Sequence, residues 1–299
     1  MRKAICPGPW LSSDDPARLR STVVRRYEEH RWCDAVDEVA AEEPLQIQLS
    51  GQDVAVIMRT PGQDRALAAG FLFSEGIIAG TDDLSELVLG LDRDGFPQPN
   101  VLDVRLSANS CGNEPLVPRM FPVSSSCGLC GATSVESVMR RVQPLPVREV
   151  IGPALLLDLE AKLRNVQAAF RRTGGVHGAG LFDWRGELVL VHEDVGRHNA
   201  VDKLIGEMLL DGRLPLSAYG LLVSGRASFE LLQKAALAGI PLFVAVGAPS
   251  SLAIELAVAA HVTLVGLLRS HRFVVYSCPE RLQRHSDEPC TLPGPTQPG

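Results

Sequence analysis

Two cysteines separated by two residues, each followed by glycine, stand in "SSSCGLCGATSVESVMRRV", Ser124 to Val142. A CxxC pair of this kind serves zinc sites, thiol–disulfide exchange and haem attachment, so Cys127 and Cys130 alone do not choose among them. A structural zinc site needs two further ligands. Cys111 offers one and His177, His192 or His198 the other, but the chain holds no second CxxC and no HxxxH. A thioredoxin-like pair should open a helix directly after an early strand, whereas this one follows a serine-rich stretch. Two merely packed cysteines fit poorly with Gly128 and Gly131, which invite exposure and mobility. The remaining chemistry is nucleophilic. A cysteine just ahead of a helix N-terminus has its thiolate favoured by the dipole, and thiolate is the reactive form. Persulfide is one of the reversible states such a thiol can hold.

A second set of residues suits an anion. Ser224-Gly225-Arg226 and Gly247-Ala248-Pro249-Ser250 each sit between an apolar run and a helical pattern. Strand-to-helix turns of this type present backbone N–H groups and a helix dipole to phosphate, and Arg226 adds a bidentate donor. The simpler alternative is that the glycines make tight turns and Ser250 caps a helix. His177, in "GGVHGAG", either lines a pocket or is a satisfied structural residue. "EDVGRHN" gathers Glu193, Asp194, Arg197, His198 and Asn199 at one corner, as ligand contacts or as an ion-pair and capping network.

The elements that must position these residues are regular in the second half. "LDLEAKLRNVQAAFRRTGG" places Leu159, Leu163, Val166 and Phe170 on one helical face and stops at a glycine pair. Two strands flank Arg185-Gly186, a helix follows from Arg197, and "YGLLVSG", "PLFVAVG" and "VTLVG" alternate with two further helices. Short, wholly apolar strands alternating with helices predict a parallel sheet buried on both faces. The order α-β-β-α-β-α-β-α-β resembles the cytidine deaminase-like fold. The deaminase chemistry itself is excluded, because "VHEDVGRHN" lacks H-x-E and "VSGRAS" carries no cysteine. Upstream, "PLQIQLSGQDVAVIMRT" predicts a hairpin about Ser50-Gly51, "PGQDRALAAGFLFSEGIIAG" an amphipathic helix, and "VLDVRL" a strand. The expected division is a flexible lead-in over 1–40, a smaller α+β domain over 41–150 ending in the CxxC loop and its helix, an α/β/α domain over 151–278, and a disordered proline-rich tail over 279–299.

The 299 residues carry a net charge of −6 with 45% apolar and 21% charged residues, an ordinary globular composition without a basic surface for nucleic acid or anionic lipid. The N-terminus lacks a secretory apolar segment, no apolar run spans a membrane, and the seven scattered cysteines do not form a disulfide framework. A cytoplasmic protein with reduced thiols is expected.

Six blocks carry a resemblance: "RTPGQDRALAAGFLFSEGII", "SSSCGLCG", "TGGVHGAG", "EDVGRHNAVDKLIG", "SGRASFELLQKAALAGIPLFVAVGAPSSLA" and "GLLRSHRFVVY". In this order, from about Glu42 to Tyr276, they are similar to the formate dehydrogenase accessory sulfurtransferase family (FdhD). The resemblance implies a carrier that takes sulfane sulfur from an IscS-type cysteine desulfurase and hands it to the molybdenum cofactor, bis-molybdopterin guanine dinucleotide, for formate dehydrogenase. It implies a homodimer with no metal of its own. By position, Cys127 matches the persulfide-bearing cysteine and Cys130 its companion. Phe273, Val274, Val275, Tyr276, Ser277 and Cys278 match the segment of cofactor contact, with Val274 standing where relatives often have asparagine. His177, Ser224, Gly225 and Arg226 complete the expected cofactor-binding set.

Overall fold

The computed structural model describes residues 16–107, 121–123 and 135–283. Cys111, Cys127 and Cys130 lie outside them. The elements run β1 (Leu19–Glu28), β2 (Arg31–Ala40), β3 (Glu43–Leu49), β4 (Gln52–Arg59), α1 (Asp64–Glu75), β5 (Leu84–Leu91), β6 (Pro97–Leu106), β7 (Phe121–Val123) and α2 (Val135–Met139). They continue as α3 (Pro153–Leu157), α4 (Leu159–Val166), α5 (Ala168–Thr173), β8 (His177–Phe182), β9 (Leu188–Asp194), α6 (Arg197–Leu210), β10 (Gly220–Val223), α7 (Phe229–Leu237), β11 (Leu242–Ala245), α8 (Ser251–Ala259), β12 (Thr263–Arg269) and β13 (Arg272–Ser277).

The C-terminal half forms a six-stranded sheet in the order β13-β12-β11-β10-β8-β9. Only β10, β11 and β12 are mutually parallel; the β8–β9 hairpin and β13 join antiparallel. The sheet is therefore mixed rather than wholly parallel, because β9 returns from β8 and β13 from β12 through short turns that a parallel crossover cannot use. Alternate residues serve the two faces. Leu221, Val223, Phe243 and Leu264 pack under α6, α7 and α8, while Leu222, Val244 and Val265 pack with Leu156, Leu159 and Leu163 of α3 and α4. That is the α/β layering the apolar strands predicted.

The first half builds a five-stranded sheet in the order β5-β6-β3-β4-β7. The expected β3–β4 hairpin turns at Ser50-Gly51, both with positive φ (51° and 80°), as a two-residue hairpin of the right twist requires. Helix α1 ends at Gly76 in the left-handed conformation. It is not amphipathic: Ala66 through Ser74 are all buried. The reason is its crossing with α6, where each helix offers a glycine. A Cβ on Gly70 would lie 1.9 Å from the Asp202 carbonyl oxygen, and one on Gly206 would lie 1.8 Å from that of Ala66. The largest hydrophobic cluster accordingly runs from Leu45 to Leu264, across the boundary expected near residue 150.

Two further differences have local causes. The lead-in expected over 1–40 contains the β1–β2 hairpin, ten residue pairs from Leu19↔Ala40 to Glu28↔Arg31. Its turn residues Glu29 and His30 take positive φ (48° and 62°) without the Asn-Gly or Asp-Gly signature that marks such turns in sequence. The single helix expected over 158–173 breaks at Gln167 (ψ 87°) into α4 and α5. There the Glu193 carboxylate accepts the N–H groups of Ala169 and Phe170 (3.0 and 2.9 Å), so a side chain from β9 starts a new helix. No helix among the described residues is long and apolar enough to cross a membrane.

Candidate functional site

The sheet presents its carboxyl edge at the ends of β10 and β11, where both anion-type turns emerge. The strands' pairing continues into the turns. Gly247 N–H donates to Gly225 O (2.8 Å), Ala227 N–H to Ala248 O (3.2 Å) and Ser250 N–H to Ala227 O (3.0 Å). Gly247 permits this, since a Cβ there would stand 2.9 Å from the Arg226 backbone. Several amides expected to be open to an anion are thus committed to zipping the turns together. Among the described residues, none accepts from the N–H groups of Gly225 or Arg226. Ser250 caps α8 through Ala253 N–H (3.3 Å), the simpler of the two roles the sequence allowed. The Ser224 hydroxyl accepts from Gly178 N–H (2.9 Å) and so ties β8 to this edge.

Gly225 faces two cationic or titratable side chains. A Cβ on it would be 3.6 Å from His177 Nδ1 and 3.9 Å from Arg197 Cδ. Arg197 is the first residue of α6, and its buried Nε has no hydrogen-bond partner among the described residues. Burial lowers the pKa of His177, Arg197 lowers it further, and Asp194 opposes both. His198 is held down to about 3, by burial first and then by the charges of Lys234 and Arg197. Its Nε2 lies 3.4 Å from the Ser228 hydroxyl that begins α7. Two imidazoles with lowered pKa beside the Arg197 guanidinium, whose Nε has no partner among the described residues, make a positive, hydrogen-bonding corner. Alongside it, Arg164, Gln167, Phe170, Gly175, His177 and Ser224 help line a cleft of about 310 Å³.

The acidic members of "EDVGRHN" are structural. Asp194, fully buried, accepts from Thr60 N–H (3.1 Å), Gly196 N–H (2.8 Å) and Asn199 Nδ2 (2.9 Å) and pairs with Lys203 at 2.8 Å. Lys203 also donates to Thr60 O (2.8 Å), which locks the β4–α1 connection against α6. Glu193 holds α5, as described above. Arg197 and His198 are left to face the edge.

The expected contact segment on β13 divides. Register Gly266↔Val274 puts the first part of β13 at the carboxyl edge. Tyr276 joins it from the same face, its ring 3.0 Å from a Cβ built on Gly266, beside Pro249. Val274 is exposed there, whereas Phe273 and Val275 turn into the cluster on the opposite face. Ser277 and Cys278 lie at the other end of the strand, away from the turns. The Ser277 hydroxyl donates to Val262 O (2.7 Å) and accepts from Leu264 N–H (3.1 Å). The structure therefore assembles His177, Ser224, Gly225, Arg226, Val274 and Tyr276 about one edge and places Ser277 and Cys278 elsewhere. Arg164 and Gln167 were not legible as site residues, because Gln167 sits inside an apparently unbroken helical pattern.

The sequence profile of the FdhD/NarQ family matches residues 40–283. "Sulfur carrier protein FdhD" of Streptomyces avermitilis is 50% identical over 82% of this chain and 89% of its own length. The protein of the same description from Thermoplasma acidophilum is 43% identical over 84% and 89%. Among solved structures, a formate dehydrogenase accessory protein from Desulfotalea psychrophila superposes with a TM-score of 0.71 at 27% identity, covering 89% of this chain and all of that one.

Proposed function

Because the chain belongs to the FdhD/NarQ family, we propose that it is a sulfur carrier for the maturation of formate dehydrogenase. The observation that carries this reading is the half-identical match, over four-fifths of the chain, to proteins described as sulfur carriers. The donor in this reading is a cysteine desulfurase of the IscS type. Cys127 thiolate attacks the outer sulfur of the desulfurase persulfide; that S–S bond breaks, the desulfurase cysteine leaves as thiolate, and a new S–S bond forms on Cys127. Cys130 thiolate then attacks the inner sulfur, closing a Cys127–Cys130 disulfide and expelling the outer sulfur as hydrosulfide. The thiol pair supplies both electrons, and an external thiol restores it.

The acceptor is the molybdenum of bis-molybdopterin guanine dinucleotide, bound as a substrate. The carboxyl edge suits its diphosphates: Arg197 Nε is without a partner among the described residues, Gly225 leaves room beside it, and His177 lies next to both. Tyr276 and Val274 offer surface for the pterin or guanine rings. The order β9-β8-β10-β11-β12, with three parallel strands and an antiparallel hairpin, supports a cytidine deaminase-like domain in which this edge has exchanged zinc chemistry for anion binding. We place the protein in the cytoplasm as a homodimer, in keeping with the family resemblance.

Peptide mass spectrometry after incubation with a cysteine desulfurase and free cysteine tests the proposal. One added sulfur on the Cys127–Cys130 peptide, removable by reductant, is expected. Cys127→Ala should abolish both the adduct and the activation of formate dehydrogenase; activation that survives in that variant removes the persulfide from the mechanism.

A further inference from the structure

At the amino edge of the six-stranded sheet, opposite the anion-type turns, three different metal-ligating side chains meet. A ring nitrogen of His261, the Cys278 thiol sulfur and a Glu280 carboxylate oxygen all lie within 4.8 Å of one another. His261 follows α8 and leads into β12, while Cys278 and Glu280 follow β13, so the fold, not a local sequence motif, brings them together. We infer that His261, Cys278 and Glu280 form a zinc(II) site, a role independent of the sulfur-carrier reading.

The donor set argues for that ion. One nitrogen, one sulfur and one carboxylate oxygen match the borderline character of zinc, and three protein ligands leave a fourth position open. Two anionic donors, thiolate and carboxylate, balance the dication, and the thiol proton goes to solvent on binding. Zinc-to-ligand lengths of about 2.0–2.3 Å draw the donors closer by about 1 Å, a movement that exposed Glu280 supplies by side-chain rotation.

The surroundings hold two of the donors in place. His261 Nδ1 is 2.9 Å from Leu145 O, so that nitrogen carries the proton and Nε2 keeps its lone pair, as an outer-shell carbonyl does for a metal-bound imidazole. Arg281, buried, donates to His261 O (2.8 Å) and to Leu145 O (2.7 Å). Thr263 Oγ1 donates to the Cys278 carbonyl. His261 and Cys278 both adopt left-handed backbone (φ 55° and 44°), which L side chains rarely take. His261 closes the end of α8, with Val262 N–H bonded to Ala257 O at 2.8 Å; glycine is the usual residue at such a stop. The imidazole is thus kept where the backbone alone favours its absence.

The CxxC pair is the competing zinc ligand and is removed first. Full-length Cys127→Ala/Cys130→Ala protein, stripped with chelator, is titrated with zinc(II) alone and, separately, with cobalt(II) to read thiolate coordination by its charge-transfer band. One equivalent bound, with the thiolate band present, is expected. Adding His261→Gly should weaken zinc binding at least about 100-fold while thermal stability of the metal-free protein holds or rises, since glycine fits the backbone there. Adding Cys278→Ser should erase the cobalt band. No stoichiometric zinc in the double variant, or binding unmoved by both further substitutions, overturns the assignment.

Discussion

At the scale of single residues, the carboxyl edge depends on imidazoles that stay neutral. His198, held to about 3 by burial and by the nearby Lys234 and Arg197 charges, ionises normally only in the unfolded chain. The folded pKa is therefore below the unfolded one, the unfolded state binds the extra proton, and stability falls as pH drops below about 6.5. The loss continues down towards the folded value, at a slope approaching about 1.4 kcal/mol per pH unit for one proton. His177 shifts in the same direction. Urea midpoints measured between pH 7 and 4 should decline, and His198→Asn should flatten the decline. An unchanged slope in that variant would show that His198 is not the group responsible. Asp194 illustrates the opposite logic: four donors surround it, so its charge is matched and its role is to hold Thr60 and α6 together rather than to meet a ligand.

At the scale of elements, the α1–α6 crossing sets the geometry of the site. Arg197 and His198 open α6, and α6 is positioned by its contact with α1 at Gly70 and Gly206. Close approach there has no slack, because the atoms met by an added methyl are backbone carbonyls, not flexible side chains. Gly206→Ala should cost about 3 kcal/mol or more, seen as a lower denaturation midpoint. A midpoint within experimental error of the parent would mean that the helices can part without consequence. The break between α4 and α5 has a similar function. Glu193 begins α5, and the break leaves Gln167 buried and lining the cleft.

Across the whole molecule, the two sheets share one core. Leu45, Ile47 and Leu102 of the five-stranded sheet belong to the same cluster as Leu181, Leu221 and Phe243 of the six-stranded one, with α1 and α6 between them. Far-ultraviolet and near-ultraviolet dichroism should therefore report a single coincident unfolding transition. Two separated transitions would show instead that residues on either side of position 150 unfold as units. The β1–β2 hairpin stands apart from this core. It is anchored through Leu19 against Ala169 and Val176 and through Arg18, which donates to Glu193 O at 2.9 Å. Val23, Tyr27, Trp32 and Val36 remain exposed on it.

Much of this was legible from residues in order. The β3–β4 turn at Ser50-Gly51 and the apolar strands β10, β11 and β12 rest on interactions within a few residues, or on hydrophobic runs too continuous for any solvent-facing element. The family, too, was written in blocks of sequence. What tertiary structure alone decided involves partners distant in the chain. Glu193 splits a helical pattern more than twenty residues away, Gly70 and Gly206 bury a helix that looked amphipathic, and the fold brings His261 beside Cys278. Periodicity records which residues prefer to be buried or to turn; it cannot record which distant carboxylate or carbonyl will meet them, because that follows from how the layers stack.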